Sequence, residues 1–137
     1  MGNKKVFLDT NIILDFLDKK RANHLKVESL MRYLILNDYT IVLSEDMLST
    51  IFYINKDNKK VLNFFKMILV KWKIVSYGVE LIQNAVDIAI EKSLDLEDLM
   101  QCLCAKSNGC TILITEDKGF YDCGVEVYNT NDFLKAF

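Results

Sequence analysis

The sequence of 137 residues has no proline and only one histidine, and it contains no internal repeat or low-complexity segment. A net charge of −2 excludes a polybasic nucleic-acid-binding protein. No run approaches the roughly 20 apolar residues of a membrane span, and the N-terminal region lacks a signal-peptide pattern. With 51% hydrophobic residues, the chain has the composition of one folded domain. We expect that domain over 1–137, in the cytoplasm and without membrane contact.

The four cysteines lack both the CxxC spacing and the paired histidine of a zinc site. Cys102 and Cys104 are two positions apart in a predicted helix, so their side chains point in different directions. We therefore expect Cys102, Cys104, Cys110 and Cys123 to be buried free thiols in a reducing compartment, rather than a zinc site or a disulfide framework.

Apolar runs of strand length alternate with stretches of helical periodicity. Strands are predicted over 5–9, 40–43, 74–77, 111–115 and 125–128, and helices over 12–17, 22–36, 46–54, 58–72, 79–92, 97–107 and 130–136. The second helix is predicted to bury Leu25, Ser29, Leu30, Tyr33, Leu34 and Leu36. Strands separated by one or two helices imply right-handed crossovers. The predicted fold class is α/β, a three-layer α/β/α domain with a mostly parallel sheet of about five strands.

Three aspartates stand where a strand ends or a helix begins. Asp9 closes the apolar run 6–8, Asp117 follows the strand predicted at 111–115, and Asp98 opens the helix predicted at 97–107. In parallel sheets, ligands bind outside the carboxyl ends of the strands. Three carboxylates that converge there repel one another unless a cation neutralises them. Magnesium or manganese, which prefer oxygen ligands, are the natural counter-charge.

Each aspartate taken alone has a purely structural explanation. Asp9 could cap the following helix, Asp98 could interact with the helix dipole, and Asp117 could be a turn residue. The joint pattern favours a metal site. Five neighbouring residues are interpreted as solvated or surface side chains: Asp15, His24, Asp95, Glu97 and Glu116.

Three segments resemble the motifs of PIN domains, the small metal-dependent ribonuclease fold of VapC-type toxins. Phe7–Asp15 resembles the first motif, FLDTNIILD in this chain. Glu97–Gln101 is similar to the segment with a central acid at a helix start. Ile112–Phe120 is similar to the segment in which a strand is followed by Thr, x, Asp, Lys, x and Phe. The three segments occur in the family's order and span nearly the whole chain.

The resemblance implies that Asp9, Asp98 and Asp117 are catalytic and hold Mg²⁺ or Mn²⁺. Asn11 and Thr115 match polar positions beside them, in contact with the metal site or the substrate. The implied reaction is hydrolysis of an RNA phosphodiester. The implied partners are the RNA substrate, an antitoxin protein and a second protomer.

The sequence departs from the toxin pattern at the position of a further acid. The family usually has a Glu six residues beyond the serine that ends the second strand, and counting from Ser44 reaches Thr50. Glu45 and Asp46 are candidate substitutes, although a residue so much earlier on a helix faces elsewhere. One branch of PIN-like proteins also lacks this Glu and resembles this chain more closely. Weak activity is therefore expected.

Two other functions remain open. A PIN-fold protein without catalysis would act as a protein-binding or RNA-binding module, which Thr50 supports. An aspartyl phosphotransferase of haloacid-dehalogenase type would need a second aspartate where this chain has Asn11. A group of lysines either guides an RNA backbone or forms a solvated face: Lys56, Lys59, Lys60, Lys66, Lys71 and Lys73.

Overall fold

Five parallel strands form one sheet in the computed structural model, which describes residues 4–137. Residues 1–3 of the predicted domain lie outside the described residues. The strands are β1 (Lys5–Leu8), β2 (Thr40–Ser44), β3 (Lys73–Val75), β4 (Ile112–Ile114) and β5 (Glu126–Tyr128). The helices are α1 (Thr10–Leu17), α2 (His24–Leu36), α3 (Asp46–Ile54), α4 (Asn58–Lys71), α5 (Val79–Lys92), α6 (Leu96–Ser107) and α7 (Thr130–Ala136). The predicted α/β fold with a parallel sheet of five strands is confirmed. Within residues 4–137, no helix has the length and apolarity needed to cross a membrane.

The centre of the sheet is covered by helices on both faces. Val6, Phe7 and Leu8 of β1 are fully buried, as are Leu113 and Ile114 of β4. Contiguous apolar runs are what a parallel strand between two helical layers requires, because both of its faces are removed from water. β1 is therefore the central strand, and its neighbour β4 is also buried on both faces.

The order of the strands reverses between β1 and β4. β2 and β3 lie on one side of β1, and β4 and β5 lie on the other. In an open parallel sheet, a crevice forms outside the carboxyl ends of the strands at such a reversal. Leu8 pairs in register with Ile114, and the backbone N–H of Asp9 donates to the Ile114 carbonyl at 3.0 Å. Asp9 and Thr115, the residues that follow the two strands, are thus neighbours at this crevice.

The buried face of α2 differs from the predicted one. Leu25 and Leu36 are each 74% exposed, and Ser29 is exposed as well. Leu30 and Leu34 are buried as predicted, Tyr33 is half-buried, and the other buried residues are His24, Val27 and Met31. The helix has two overlapping apolar stripes, so periodicity alone could not select the stripe that faces the sheet.

Asp15 and His24, which the sequence placed at the surface, are both buried. The Asp15 carboxylate accepts from Nε of Arg21 at 2.7 Å, and the ring Nδ1 of His24 donates to the Asp15 carbonyl at 2.9 Å. These contacts satisfy the polar groups and join the end of α1 to the start of α2. The surface prediction was wrong because Arg21 and His24 follow Asp15 by more than one helical turn, so helical spacing did not indicate these contacts.

The prediction of four free thiols was wrong for one pair. A disulfide joins Cys102 in α6 to Cys123 in the loop before β5, across 21 positions. Cys104 and Cys110 are free and buried, and burial raises the pKa of each thiol to about 11. The spacing gave no sign of the pair, because only the tertiary fold brings the loop back onto α6.

Candidate active site

An open cleft of about 390 Å³ lies at the point where the strand order reverses. The three predicted aspartates and Asn11 all line it, and its other lining residues are Thr10, Leu14, Thr50, Ile54, Glu97 and Glu116. The fold therefore brings Asp9, Asp98 and Asp117 to one place from three distant parts of the sequence. Their roles remain predictions.

Asp9 is held by three hydrogen bonds. Its Oδ1 accepts from the backbone N–H of Thr10 at 2.7 Å and from Nε2 of Gln101 at 3.2 Å. Its Oδ2 accepts from Oγ1 of Thr115 at 2.7 Å. A carboxylate has about four acceptor positions, so roughly one remains for a ligand in the cleft. Asp9 thus caps α1 and also keeps a fixed, oriented carboxylate at the site.

Thr115 connects Asp9 to Asp117. Its side chain is buried, and its Oγ1 donates to Asp9 while accepting from the backbone N–H of Asp117 at 3.0 Å. Oδ1 of Asp117 accepts from the backbone N–H of Gly119 at 3.1 Å, which closes a short turn. Asp117 is therefore both the turn residue and a cleft residue, and Thr115 sets the distance between the two acids.

Asp98 is the third residue of α6, and Oδ1 of the capping residue Asp95 accepts from its backbone N–H at 3.0 Å. Burial, followed by the negative charges of Asp117, Asp95 and Asp9, raises the pKa of Asp98 to about 6. Within residues 4–137, the basic side chains that form ion pairs do so elsewhere, Arg21 with Asp15 and His24 with Glu28. The acids of the cleft thus crowd one another without a protein cation to offset them.

Glu97 and Glu116 line the same cleft, which the sequence did not indicate. Burial and the charges of Asp9, Asp46 and Asp95 raise the pKa of Glu97. Glu116 is engaged differently, because its Oε2 accepts from the backbone N–H of Thr130 at 3.1 Å and from its hydroxyl at 2.7 Å. Glu97 is therefore the additional acid free to face a ligand, whereas Glu116 anchors the start of α7.

Thr50 lines the cleft, as its match to the usual Glu position predicts. The candidate substitutes Glu45 and Asp46 instead line a different pocket, beside Tyr77. The Tyr77 hydroxyl donates to Oδ2 of Asp46 at 3.4 Å, which directs that carboxylate towards β3 and its following loop. Glu45 and Asp46 lie at the start of α3, more than one helical turn before Thr50, so neither carboxylate replaces the missing acid.

Gln101 is a residue of the site that sequence reasoning missed. It lies one turn after Asp98 on α6, is 2% exposed and donates to Asp9. Its Oε1 is buried and has no hydrogen-bond partner in the part of the chain that the structure describes. One feature of the sequence could have indicated Gln101: it is a polar residue among Leu99, Cys102 and Ala105, on the buried face of α6. Such a residue needs a partner at that depth.

The donor set fits a hard divalent cation. All the candidate ligands are carboxylate oxygens, and the crowding that raises the pKa of Asp98 is what a cation would relieve. In residues 4–137, no three acidic, histidine or cysteine side chains form a ready-made ligand cluster. Magnesium tolerates this arrangement, because it keeps several waters and takes only one or two protein carboxylates directly.

Comparison with known proteins identifies the family. The family model of the PIN domain matches residues 6–125. This chain is a PIN domain protein. It is 32% identical to ribonuclease VapC1 of Aquifex aeolicus (strain VF5) over 141 aligned positions, which cover 100% of this chain and 98% of that protein.

Solved structures share the fold of this PIN domain at low sequence identity. A toxin–antitoxin complex from Klebsiella pneumoniae matches with a TM-score of 0.69 and 17% identity, covering 91% of this chain and 97% of the other. The sarcin-ricin-loop-cleaving toxin VapC20 of Mycobacterium tuberculosis matches with a TM-score of 0.68 and 13% identity, covering 88% and 95%. The predicted resemblance to PIN domains is confirmed.

Proposed function

We propose that this PIN domain protein is a ribonuclease of the VapC kind that depends on Mg²⁺ or Mn²⁺. The observation that carries the proposal is the convergence of Asp9, Asp98 and Asp117 in one cleft at the reversal of strand order. The full-length similarity to a ribonuclease supports the reaction class. A cytoplasmic location, where RNA is abundant, remains part of the proposal.

The three aspartates would hold the ion or its waters. When bound, the ion would polarise a phosphate oxygen and lower the pKa of an attacking water. Gln101 and Thr115 fix the orientation of Asp9, and the turn at Gly119 fixes Asp117. Asn11 is exposed at the mouth of the cleft, where its amide can donate to a phosphate oxygen.

Cleavage of RNA by purified protein tests this proposal. We expect Asp9→Asn and Asp98→Asn to lower the rate by at least about a hundredfold, since each removes part of the metal site. Chelation should abolish the reaction of the wild type, and Mn²⁺ should restore it. Asp87→Asn, an exposed change on α5 outside the cleft, is the matched control and should keep the wild-type rate. Equal cleavage by the wild type and both cleft variants would rule out the proposed site.

A binding module without catalysis is the second candidate, because Thr50 lines the cleft at the position where the resemblance to PIN toxins implies a Glu. It predicts that RNA binds but is not cleaved at any Mn²⁺ concentration. The phosphotransferase alternative has lost its support, since the lining of the cleft within residues 4–137 includes no lysine.

An antitoxin protein is the proposed partner. The Klebsiella relative in fold was solved as a toxin–antitoxin complex, and this chain exposes large apolar side chains on α3 and α4. They include Phe52, Leu62, Leu69 and Val70. A patch of this kind is typical of a protein-binding surface. A homodimer remains a prediction, and sedimentation of the purified chain would test it.

A further inference from the structure

A second pocket, of about 450 Å³, lies beside the acid cleft, and Ile54 lines both. Four lysines line this pocket: Lys19, Lys20, Lys56 and Lys60. We call this pocket the lysine pocket. Only two of the four lysines belong to the lysine group singled out from the sequence, because the other two come from the distant loop after α1.

The local charge of the pocket is positive although the chain is acidic overall. Asp18 and Asp57 also line it, but their carboxylates are engaged with the backbone. Oδ1 of Asp18 accepts from the N–H of Lys20 at 2.9 Å, and Oδ1 of Asp57 accepts from the N–H of Lys60 at 3.3 Å. Within residues 4–137, no ion pair joins any of the four lysines to an acid, and Nζ of Lys56 donates to the carbonyl of Tyr53 at 3.0 Å. Exposed ammonium groups of this kind attract phosphates.

The pocket has a defined place relative to the acids. Lys60 donates through Nζ to the carbonyl of Leu17 at the end of α1, which ties α4 to α1. Asp9 caps the opposite end of α1, which has 8 residues. At about 1.5 Å per residue the two ends are roughly 12 Å apart. A stacked strand advances about 3.4 Å per nucleotide, so this distance corresponds to about four nucleotides.

An aromatic side chain stands beside the pocket. Tyr53 is 76% exposed, and Nζ of Lys56 lies 4.9 Å from the centre of its ring. Tyr53 follows Thr50 by three residues on α3, so it lies on the helix that borders the acid cleft. Exposed aromatic rings next to a positive groove are the usual platform for single-stranded bases.

We propose that the lysine pocket binds the phosphate backbone of the RNA strand that flanks the cleaved bond, with a base stacked on Tyr53. This inference rests on the proposed ribonuclease function. The favoured ligand is RNA rather than protein, because in residues 4–137 no acid pairs with the four lysines, the exposed ring of Tyr53 lies beside them, and the pocket adjoins the acid cleft.

Binding in chelator tests the pocket without requiring catalysis. Lys20→Gln together with Lys56→Gln should weaken binding of single-stranded RNA about fivefold, the order of magnitude for two exposed ion pairs. The slope of log affinity against log salt should fall by about 0.7 for each lost contact. Lys92→Gln together with Lys135→Gln is the matched control, since it removes the same charge from exposed positions outside the pocket and outside the lysine group singled out from the sequence. Lys60 is left intact because of its contact with α1.

Two further comparisons test the role of the Tyr53 ring and the effect of RNA length. Tyr53→Phe should keep the affinity for RNA, whereas Tyr53→Ala should lower it by about fivefold or more. The pocket variant should raise KM for a substrate of about twelve nucleotides without changing kcat, and should leave a trinucleotide unaffected because it is too short to reach the pocket.

Equal RNA affinity of the pocket variant and its matched control would overturn the proposal. A loss of antitoxin binding by the pocket variant, with RNA affinity intact, would assign the pocket to protein instead. If the wild type binds RNA but never cleaves it, the ribonuclease proposal fails while the affinity comparison still decides the role of the pocket.

Discussion

Removing the charge of Asp98 should stabilise the protein when no metal is present. Burial and three neighbouring carboxylates raise its pKa from an ordinary 3.8 to about 6. This difference in pKa corresponds to a loss of at most about 3 kcal/mol in the free energy of unfolding when Asp98 is charged. Because Asp98 is partly open to solvent, screening reduces this figure to between about 1 and 2 kcal/mol. The start of α6 favours a negative charge by about 0.5 kcal/mol, which leaves a net gain of about 1 kcal/mol for Asp98→Asn.

The sign of the pH dependence follows from the direction of the shift. Between pH 3.8 and about 6 the folded protein binds the Asp98 proton more strongly than the unfolded chain does. The stability of the wild type therefore falls as pH rises through this window, and the cost is fully present above it. The advantage of the Asn variant should be absent near pH 4 and complete near pH 7.5.

Thermal unfolding in chelator measures this effect. For a domain of this size, about 1 kcal/mol corresponds to a rise of about 3 °C in Tm. At saturating Mn²⁺ the wild type should have the higher Tm, because a ligand at a hundred times its Kd stabilises the wild type by about 2.7 kcal/mol. A lower Tm for Asp98→Asn in chelator at pH 7.5 would refute carboxylate crowding. An equal offset at pH 4 and pH 7.5 would show that the change acts through packing instead.

Three further predictions concern the cleft and the disulfide. Thr50→Glu should tighten Mn²⁺ binding in calorimetry, since Thr50 is exposed in the cleft and has room for the longer side chain; weaker binding would count against its place in the site. Gln101→Met should weaken Mn²⁺ binding roughly tenfold by freeing Asp9, yet leave Tm nearly unchanged because it also removes an unpaired buried acceptor. Unchanged affinity would show that Gln101 does not position Asp9. Reduction of the Cys102–Cys123 disulfide should lower the free energy of unfolding by about 3 kcal/mol in urea titrations, and Cys123→Ser should be insensitive to reductant.

The parts of the fold that local pattern controls were predictable. Buried parallel strands are contiguous apolar runs, so β1 and β4 were recognised, and the residue after each strand had to lie at the carboxyl edge of the sheet. Asp9 follows from this rule, whereas Thr115 was indicated only by the resemblance to PIN domains, because the predicted strand ran through it. The bounds of α5 and α7 were also predicted as they stand in the structure.

The missed features depend on contacts between distant segments. Cys102 meets Cys123, Asp15 meets Arg21 and His24, and none of these pairs has a local signature. The position of Glu97 in its helix did not distinguish it from a solvated flanking charge. The first turn of α6 faces the cleft because α6 packs against β4, and this contact has no local signature in the sequence. Long-range packing, rather than propensity, decided these positions.

Asp9 illustrates how this fold combines stability with a reactive site. A helix cap needs only one acceptor oxygen, yet Asp9 receives donors from α1, from α6 and from the residue after β4. Each donor restricts the rotamer of the carboxylate, so the cap also presents an oriented carboxylate to the cleft. The same three donors hold Asp9 within a cluster of like charges. The surrounding elements hold these like charges together, and a bound cation would relieve their repulsion.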